Sequence, residues 1–208
     1  YFCILKINLK NEFHIIELIR RIGMNSAVAK IGAMIAGISV IGFALCMLFD
    51  FDFGSYLVCM FLAFGFVMMT AGFHAESDKE HKAAANTALV LSGVYAVFIL
   101  FVYFAQTTAV RLDSLGEKAL ALLDYSRFGL FFYYDLLGYG VMSLSTFFIG
   151  LTINAKTVPD KWLKGLLTVH GIFFVSCFII PMLGVFRSDM TGADRIGTLI
   201  LLVWCLYF

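Results

Sequence analysis

Asp135 is the only carboxylate inside any of the long hydrophobic runs of this sequence. Such a group costs about 3 kcal/mol at the centre of a membrane span unless it is paired or wetted, so the first question is what accompanies it. Tyr103, Thr107 and Arg111 recur every four residues and share one helix face, while Asp135 and Tyr139 share a face on the next span. Pairing Asp135 with Arg111, rimmed by Tyr103, Gln106, Tyr134 and Tyr139, makes an outward-opening polar pocket. Its chemistry would be charge-assisted hydrogen bonding to a small solute or a lipid headgroup. The plainer alternatives are an ion pair that ties two helices together, or a carboxylate that snorkels to the interface.

The histidines offer a second chemistry. His74 and His170 fall at similar depth toward the same side of the membrane. On a helical extension of the second span, His74, Asp78 and His81 would stand at i, i+4 and i+7, adding nitrogen and oxygen donors on one face. No recognised zinc or haem spacing accompanies them, so a solvated helix end and a hydrogen-bonded core histidine are the ordinary reading. Cys3, Cys46, Cys59, Cys177 and Cys205 show no C-x-x-C spacing. Cys46 and Cys59 flank one turn almost symmetrically, but apolar surroundings favour packed thiols over a disulfide. Pro181 removes the helical partner of the Cys177 carbonyl and predicts a kink in the fifth span. The sequence contains no phosphate-binding glycine loop, H-E-x-x-H, G-x-S-x-G or potassium-filter motif.

The elements that must position these residues follow from composition. The chain has 208 residues, 62% hydrophobic and 14% charged, with 23 Phe and a mean hydropathy of +0.93. One soluble core could not bury that much apolar surface. The charges cluster between uncharged runs of about twenty residues, the length that crosses a bilayer. These runs predict an all-α, helical integral membrane bundle of five complete spans plus a sixth truncated at the C-terminus. The expected spans are 31–49, 53–73, 86–110, 129–153, 165–186 and 196–208, preceded by an amphipathic segment over 1–30. Residues 31–208 then form a single transmembrane domain. Gly32, Ala33, Ala36 and Gly37 predict a close-packing face on the first span. Arg111 to Phe128 reads as a short interfacial helix, with Ser114-Leu-Gly-Glu117 as its capping box. Lys156 to Lys164 reads as a connection turned by Pro159.

Tyr at position 1 and an apolar run at position 208 suggest an incomplete chain, with Met24 as a natural start. Lys and Arg divide ten to five between the two sides, which predicts the N-terminus in the cytoplasm. Starting at Met24 would reduce the contrast to six against five.

The stretches Tyr103-Phe-Ala-Gln-Thr-Thr-Ala-Val-Arg111 and Asp135-Leu-Leu-Gly-Tyr139 resemble segments of a bacterial multi-pass membrane protein family with no assigned activity. The resemblance spans Ala83 to Phe186. It implies a bacterial cytoplasmic membrane and groups Gln106, Arg111 and Asp135 in one constellation. The leading expectation is binding or transport of a small solute or lipid headgroup at Asp135, Arg111, Gln106, Tyr103, Tyr134 and Tyr139. The alternatives are an intramembrane metalloprotein or enzyme using His74, Asp78, His81 and His170, and a structural or assembly subunit of a membrane complex. No cofactor is expected. The expected partners are the lipid bilayer and a membrane protein or second copy of the chain, and a net charge of +1 gives nucleic acid no support.

Overall fold

The computed structural model describes residues 2–112, 115–184, 186 and 201–207, with side chains from Gly23 onward. The described residues form an all-α fold. Its helices are α1 (Phe2–Leu48), α2 (Asp52–Glu76), α3 (Lys82–Ala105), α4 (Glu117–Leu123), α5 (Leu130–Thr152), α6 (Val158–His170) and α7 (Ile172–Met182), and residues 201–207 are also helical. Five stretches are long and apolar enough to cross a membrane: Gly23–Leu48, Asp52–Glu76, Lys79–Val110, Leu130–Thr152 and Val158–Met182. The chain is therefore a multi-pass integral membrane protein. Successive spans pack as neighbours, α1 on α2, α2 on α3, α3 on α5, and α5 on both α6 and α7. Residues 196–200 and 208 of the expected sixth run, with the loop over 187–195, lie outside the described residues.

Small residues set the α1–α2 hairpin. A Cβ on Gly32 would stand 2.5 Å from the Met69 nitrogen and 2.7 Å from the Gly65 carbonyl oxygen. One on Gly65 would meet the Ala36 nitrogen at 2.7 Å. Dispersion and close backbone approach, rather than hydrophobic exclusion, hold helices together in lipid. The packed face is thus Ala29, Gly32 and Ala36. Ala33 and Gly37, expected on it, are exposed, and a Cβ on Gly37 would meet nothing within 4 Å. On α3 and α5 the same principle uses Ala88 and Ser145, whose hydroxyl donates to the Ala88 carbonyl at 2.8 Å. The turn before α2 places Asp50 in the left-handed region at φ 50°, which the short polar side chain of Asp tolerates.

Three local expectations change. The fifth span begins at Val158, because Thr157 and Asp160 form a reciprocal capping box and Pro159 fits the first helical turn. Pro159 therefore starts a helix where a turn was expected. The span is interrupted at Gly171, between α6 and α7, where a Cβ would meet the Phe147 side chain at 2.8 Å. Pro181 lies in the last turn of α7, one residue before the helix ends, so the structure has a terminus where a kink was expected. The interfacial helix is present as α4, but Gly116 is its N-cap and contributes no side-chain bond. Ser114, its expected cap, lies outside the described residues.

Candidate functional site

The last turn of the third span decides the geometry of the site. After α3 the helix widens to a π-turn over Gln106–Val110, with the Arg111 N–H bonding to the Gln106 carbonyl at 3.2 Å. The Thr107 hydroxyl donates to the Tyr103 carbonyl at 2.9 Å, and the Thr108 hydroxyl donates to the Phe104 carbonyl. Both satisfy carbonyls in the widened turn. One residue added to a turn rotates everything beyond it by about 100°. Arg111 consequently leaves the face of Tyr103 and stands exposed, its guanidinium carbon 4.8 Å from the centroid of the Phe53 ring. The expected Asp135–Arg111 pair is not among the ion pairs of the described residues, which join Arg127 to Glu117 at 2.9 Å and to Asp124 at 3.3 Å.

Asp135, in the second turn of α5, is 3% exposed. It lies about 8 Å along the helix from Leu130, at 1.5 Å per residue. The phenols of Tyr103 and Tyr125 face its carboxyl, yet Oδ1 has no hydrogen-bond partner. The Tyr103 ring stacks on Tyr56 at 5.3 Å, and Tyr125 meets Tyr56 at 6.0 Å and Tyr103 at 6.3 Å. One turn deeper, the Tyr139 hydroxyl donates to Cys59 Sγ at 3.3 Å, and its ring lies 5.8 Å from Tyr95. The Tyr95 hydroxyl is buried without a partner. Asp135 is thus enclosed by phenols and a thiol from α2, α3, α5 and the α4–α5 connection.

Gln106, also 3% exposed, closes this cluster. Its Nε2 donates to the Leu123 carbonyl at 2.7 Å, while its Oε1 accepts from the Tyr125 N–H at 3.0 Å. Both ends of the amide are therefore used to pin the α4–α5 connection over the cluster. Outside the spans, burial holds the Tyr125 phenol well above its ordinary range, and the Asp135 carboxylate adds to the effect. Arg127 is held above its ordinary range by its hydrogen bond to Glu117.

Of the six expected binding residues, Asp135, Tyr103 and Gln106 meet at one place. Tyr139 stands a turn deeper. Tyr134 packs on Phe98 at 5.8 Å and Phe131 at 6.3 Å. Tyr56, Cys59, Tyr95 and Tyr125 were missed by sequence reasoning. Tyr125 falls in a leucine-rich segment whose side-chain direction no periodicity fixes, and Tyr56 carries no signal beyond being a phenol near a span end.

The histidines do not converge. Helix α2 ends at Glu76, Ser77 is extended, and a 3-10 turn over Lys79–His81 replaces the expected continuation. His74 Nε2 bonds to Asn86 Oδ1 at 2.6 Å. His170 is buried elsewhere, with Nδ1 2.6 Å from the Thr146 hydroxyl oxygen and Nε2 accepting from the Trp204 indole at 2.9 Å. The described residues contain no group of three His, Cys, Asp or Glu able to hold a metal ion. Cys46, Cys59, Cys177 and Cys205 are free thiols.

Comparisons with protein-family models, with curated proteins and with solved structures give no match.

Proposed function

We propose that this protein binds, and exchanges across the membrane, a small cationic solute at Asp135, and that the structure is its closed form. The supporting observation is the buried Asp135 carboxyl, whose Oδ1 lacks a partner and which no described Lys, Arg or His pairs with. A carboxylate without a counter-ion favours a proton or another cation. The surrounding tyrosine rings add faces that attract a cation once water is excluded. Had Arg111 joined the site, the pair would suit a zwitterion. With Arg111 rotated away, the site is acidic. Access requires the α4–α5 connection to lift from the cluster, which makes the Gln106 clamp a gate.

The ten-to-five distribution of Lys and Arg supports an orientation with the N-terminus in the cytoplasm and the Gln106 gate on the opposite side. The resemblance to bacterial multi-pass proteins supports the cytoplasmic membrane of a bacterium as its location. The test uses the purified full chain in proteoliposomes, with uptake of tetramethylammonium, a small permanently charged cation that does not cross a protein-free bilayer, followed under an imposed pH gradient. Uptake that depends on the gradient and disappears in Asp135→Asn supports the reading. Uptake unchanged by Asp135→Asn refutes it.

A further inference from the structure

A site that exchanges solute across a membrane needs a barrier on each side, and the Gln106 clamp supplies the outer one for Asp135. Inward of Asp135, α5 continues as a polar stripe. Tyr139, Ser143 and Thr146 follow at spacings of four, four and three on one helix face, and Ser143 and Thr146 are wholly buried. The stripe reaches about 16 Å inward of Asp135 at 1.5 Å per residue.

Trp204 stands across this stripe. It is 7% exposed, with its ring centroid 5.5 Å from Tyr139, edge-on, and 6.2 Å from His170. The indole thus separates the phenol one turn below Asp135 from the imidazole at the level of Thr146. The hydrogen bonds that hold it run in one direction. The Trp204 indole N–H donates to His170 Nε2 at 2.9 Å, so the neutral imidazole carries its proton on Nδ1. Nδ1–H donates to the Thr146 hydroxyl oxygen at 2.6 Å, and the Thr146 hydroxyl donates to the Ser143 carbonyl at 2.7 Å. A second proton on His170 would occupy the Nε2 lone pair and set two N–H groups against each other. The elements packed on His170 present Thr146 from α5, Phe173 from α7, and Trp204 and Tyr207 from residues 201–207, with Tyr207 the titratable group among them. Lys164, earlier on α6, is turned to the Ile153 carbonyl at 3.2 Å.

We infer that Trp204 is the inner gate of the Asp135 site and that protonation of His170 releases it, an inference that rests on the exchange proposed for Asp135. The incoming proton takes the Nε2 lone pair, the indole loses its acceptor there, and the ring swings off the stripe. Tyr139 is then continuous with Ser143 and Thr146. The outer clamp is an amide that does not titrate, whereas the inner latch is an imidazole that does. The two barriers therefore answer to different signals.

The experiment follows trimethylammonium-ethyl methanethiosulfonate, a thiol reagent of permanent positive charge, reacting in nanodiscs with a full chain in which Cys59 alone is kept as cysteine. Cys59 is bonded by Tyr139 and so reports arrival on the Asp135 side of the indole. Each rate is divided by that of His170→Gln at the same pH. The Gln amide oxygen still accepts from the indole but takes no proton, so the ionisation of the thiol and of Asp135 cancels. With His170 kept, the ratio should be near one at about pH 8 and rise about fivefold by about pH 5, the population change made by losing one net hydrogen bond. Trp204→Phe keeps a ring without a donor, and its ratio should stand about fivefold up at both pH values. Unchanged circular dichroism and thermal midpoints establish that the variants fold. The nitrogen-15 signal of the Trp204 indole needs no variant: it should shift, and exchange faster with water, over the same range. A ratio flat with pH, Trp204→Phe labelled at the unmodified rate, or a constant indole signal would overturn the gate. Tetramethylammonium uptake by the same chains separates the two readings. A flat ratio with uptake that still requires Asp135 overturns the gate alone, and uptake that survives Asp135→Asn overturns the exchange even where the labelling responds.

Discussion

Replacing Gln106 by Ala should open the site without unfolding the bundle. The side chain makes two hydrogen bonds to the connection between α4 and α5, at 2.7 Å and 3.0 Å. Each is worth about 1 kcal/mol net, so their loss favours the lifted connection by about 2 kcal/mol, or roughly 30-fold in its population. Cys59 is a natural reporter. It is 1% exposed, hydrogen-bonded by Tyr139, and one turn below Tyr56, whose ring stacks on Tyr103 and meets Tyr125 edge-on. With Cys3, Cys46, Cys177 and Cys205 replaced by Ser, maleimide labelling of Cys59 in nanodiscs should accelerate about 30-fold in Gln106→Ala when labelling follows the open population. Ala88→Cys, at a 1% exposed position in the packed α3–α5 interface, supplies the control. Its thiol should label at the same rate whether Gln106 is kept or replaced. Unchanged Cys59 labelling would refute the gate, and equal acceleration at both thiols would show general loosening instead.

Gly32→Leu should destabilise the α1–α2 hairpin by roughly 3 kcal/mol or more, since its Cβ meets backbone, whereas Gly37→Leu should leave the thermal midpoint unchanged. If Gly37→Leu alone dissociates an oligomer, the outer face of α1 is an assembly surface. His170 accepts at Nε2 from an indole that can only donate, so nitrogen-15 spectra should show the neutral tautomer protonated at Nδ1. Loss of that signature in Trp204→Phe would confirm the pairing, and a protonated Nε2 in the unmodified chain would refute it. Asp135→Asn should match or exceed the stability of the unmodified chain in thermal unfolding. A fall of about 3–5 kcal/mol, the cost of breaking a buried ion pair, would show that Asp135 has a cationic partner.

The spans were legible because lipid demands about twenty apolar residues per crossing, and runs of that length interrupted by charge clusters locate the five described spans, although the first, third and fifth begin seven or eight residues earlier than expected. Ends were less legible. The Thr157 and Asp160 capping box looked like part of a loop because Pro159 suggests a turn as readily as a helix start. Four-residue spacing pairs Gly32 with Ala36 and Ala33 with Gly37, yet the contact stripe runs through Ala29, Gly32 and Ala36 alone, because spacings of three and four alternate on a helix face. Asp135 stood out by its charge alone. Its partners did not, since the π-turn at Gln106 leaves no mark in residue type and yet moves Arg111 to another face. Tyr125 and Gln106 meet across nineteen residues of chain through a backbone bond, a contact that no side-chain pattern encodes.

That single widened turn also changes what the site can be. With a regular helix, Tyr103, Thr107 and Arg111 would face α5 together, and a buried pair would fix the two spans at the expense of stripping water from both charges. The π-turn instead exposes Arg111 against Phe53 and leaves Asp135 among phenols that donate or accept but carry no compensating charge. A carboxyl so placed must hold a proton or another cation, or else bear an unpaired charge in hydrocarbon. The same turn positions Gln106 to close the connection over it. On the proposed reading, charge selection and gating would both originate in one local distortion of α3's last turn, which is why Gln106→Ala and Asp135→Asn should separate: the first alters access with the carboxyl intact, and the second removes the charge with the gate intact.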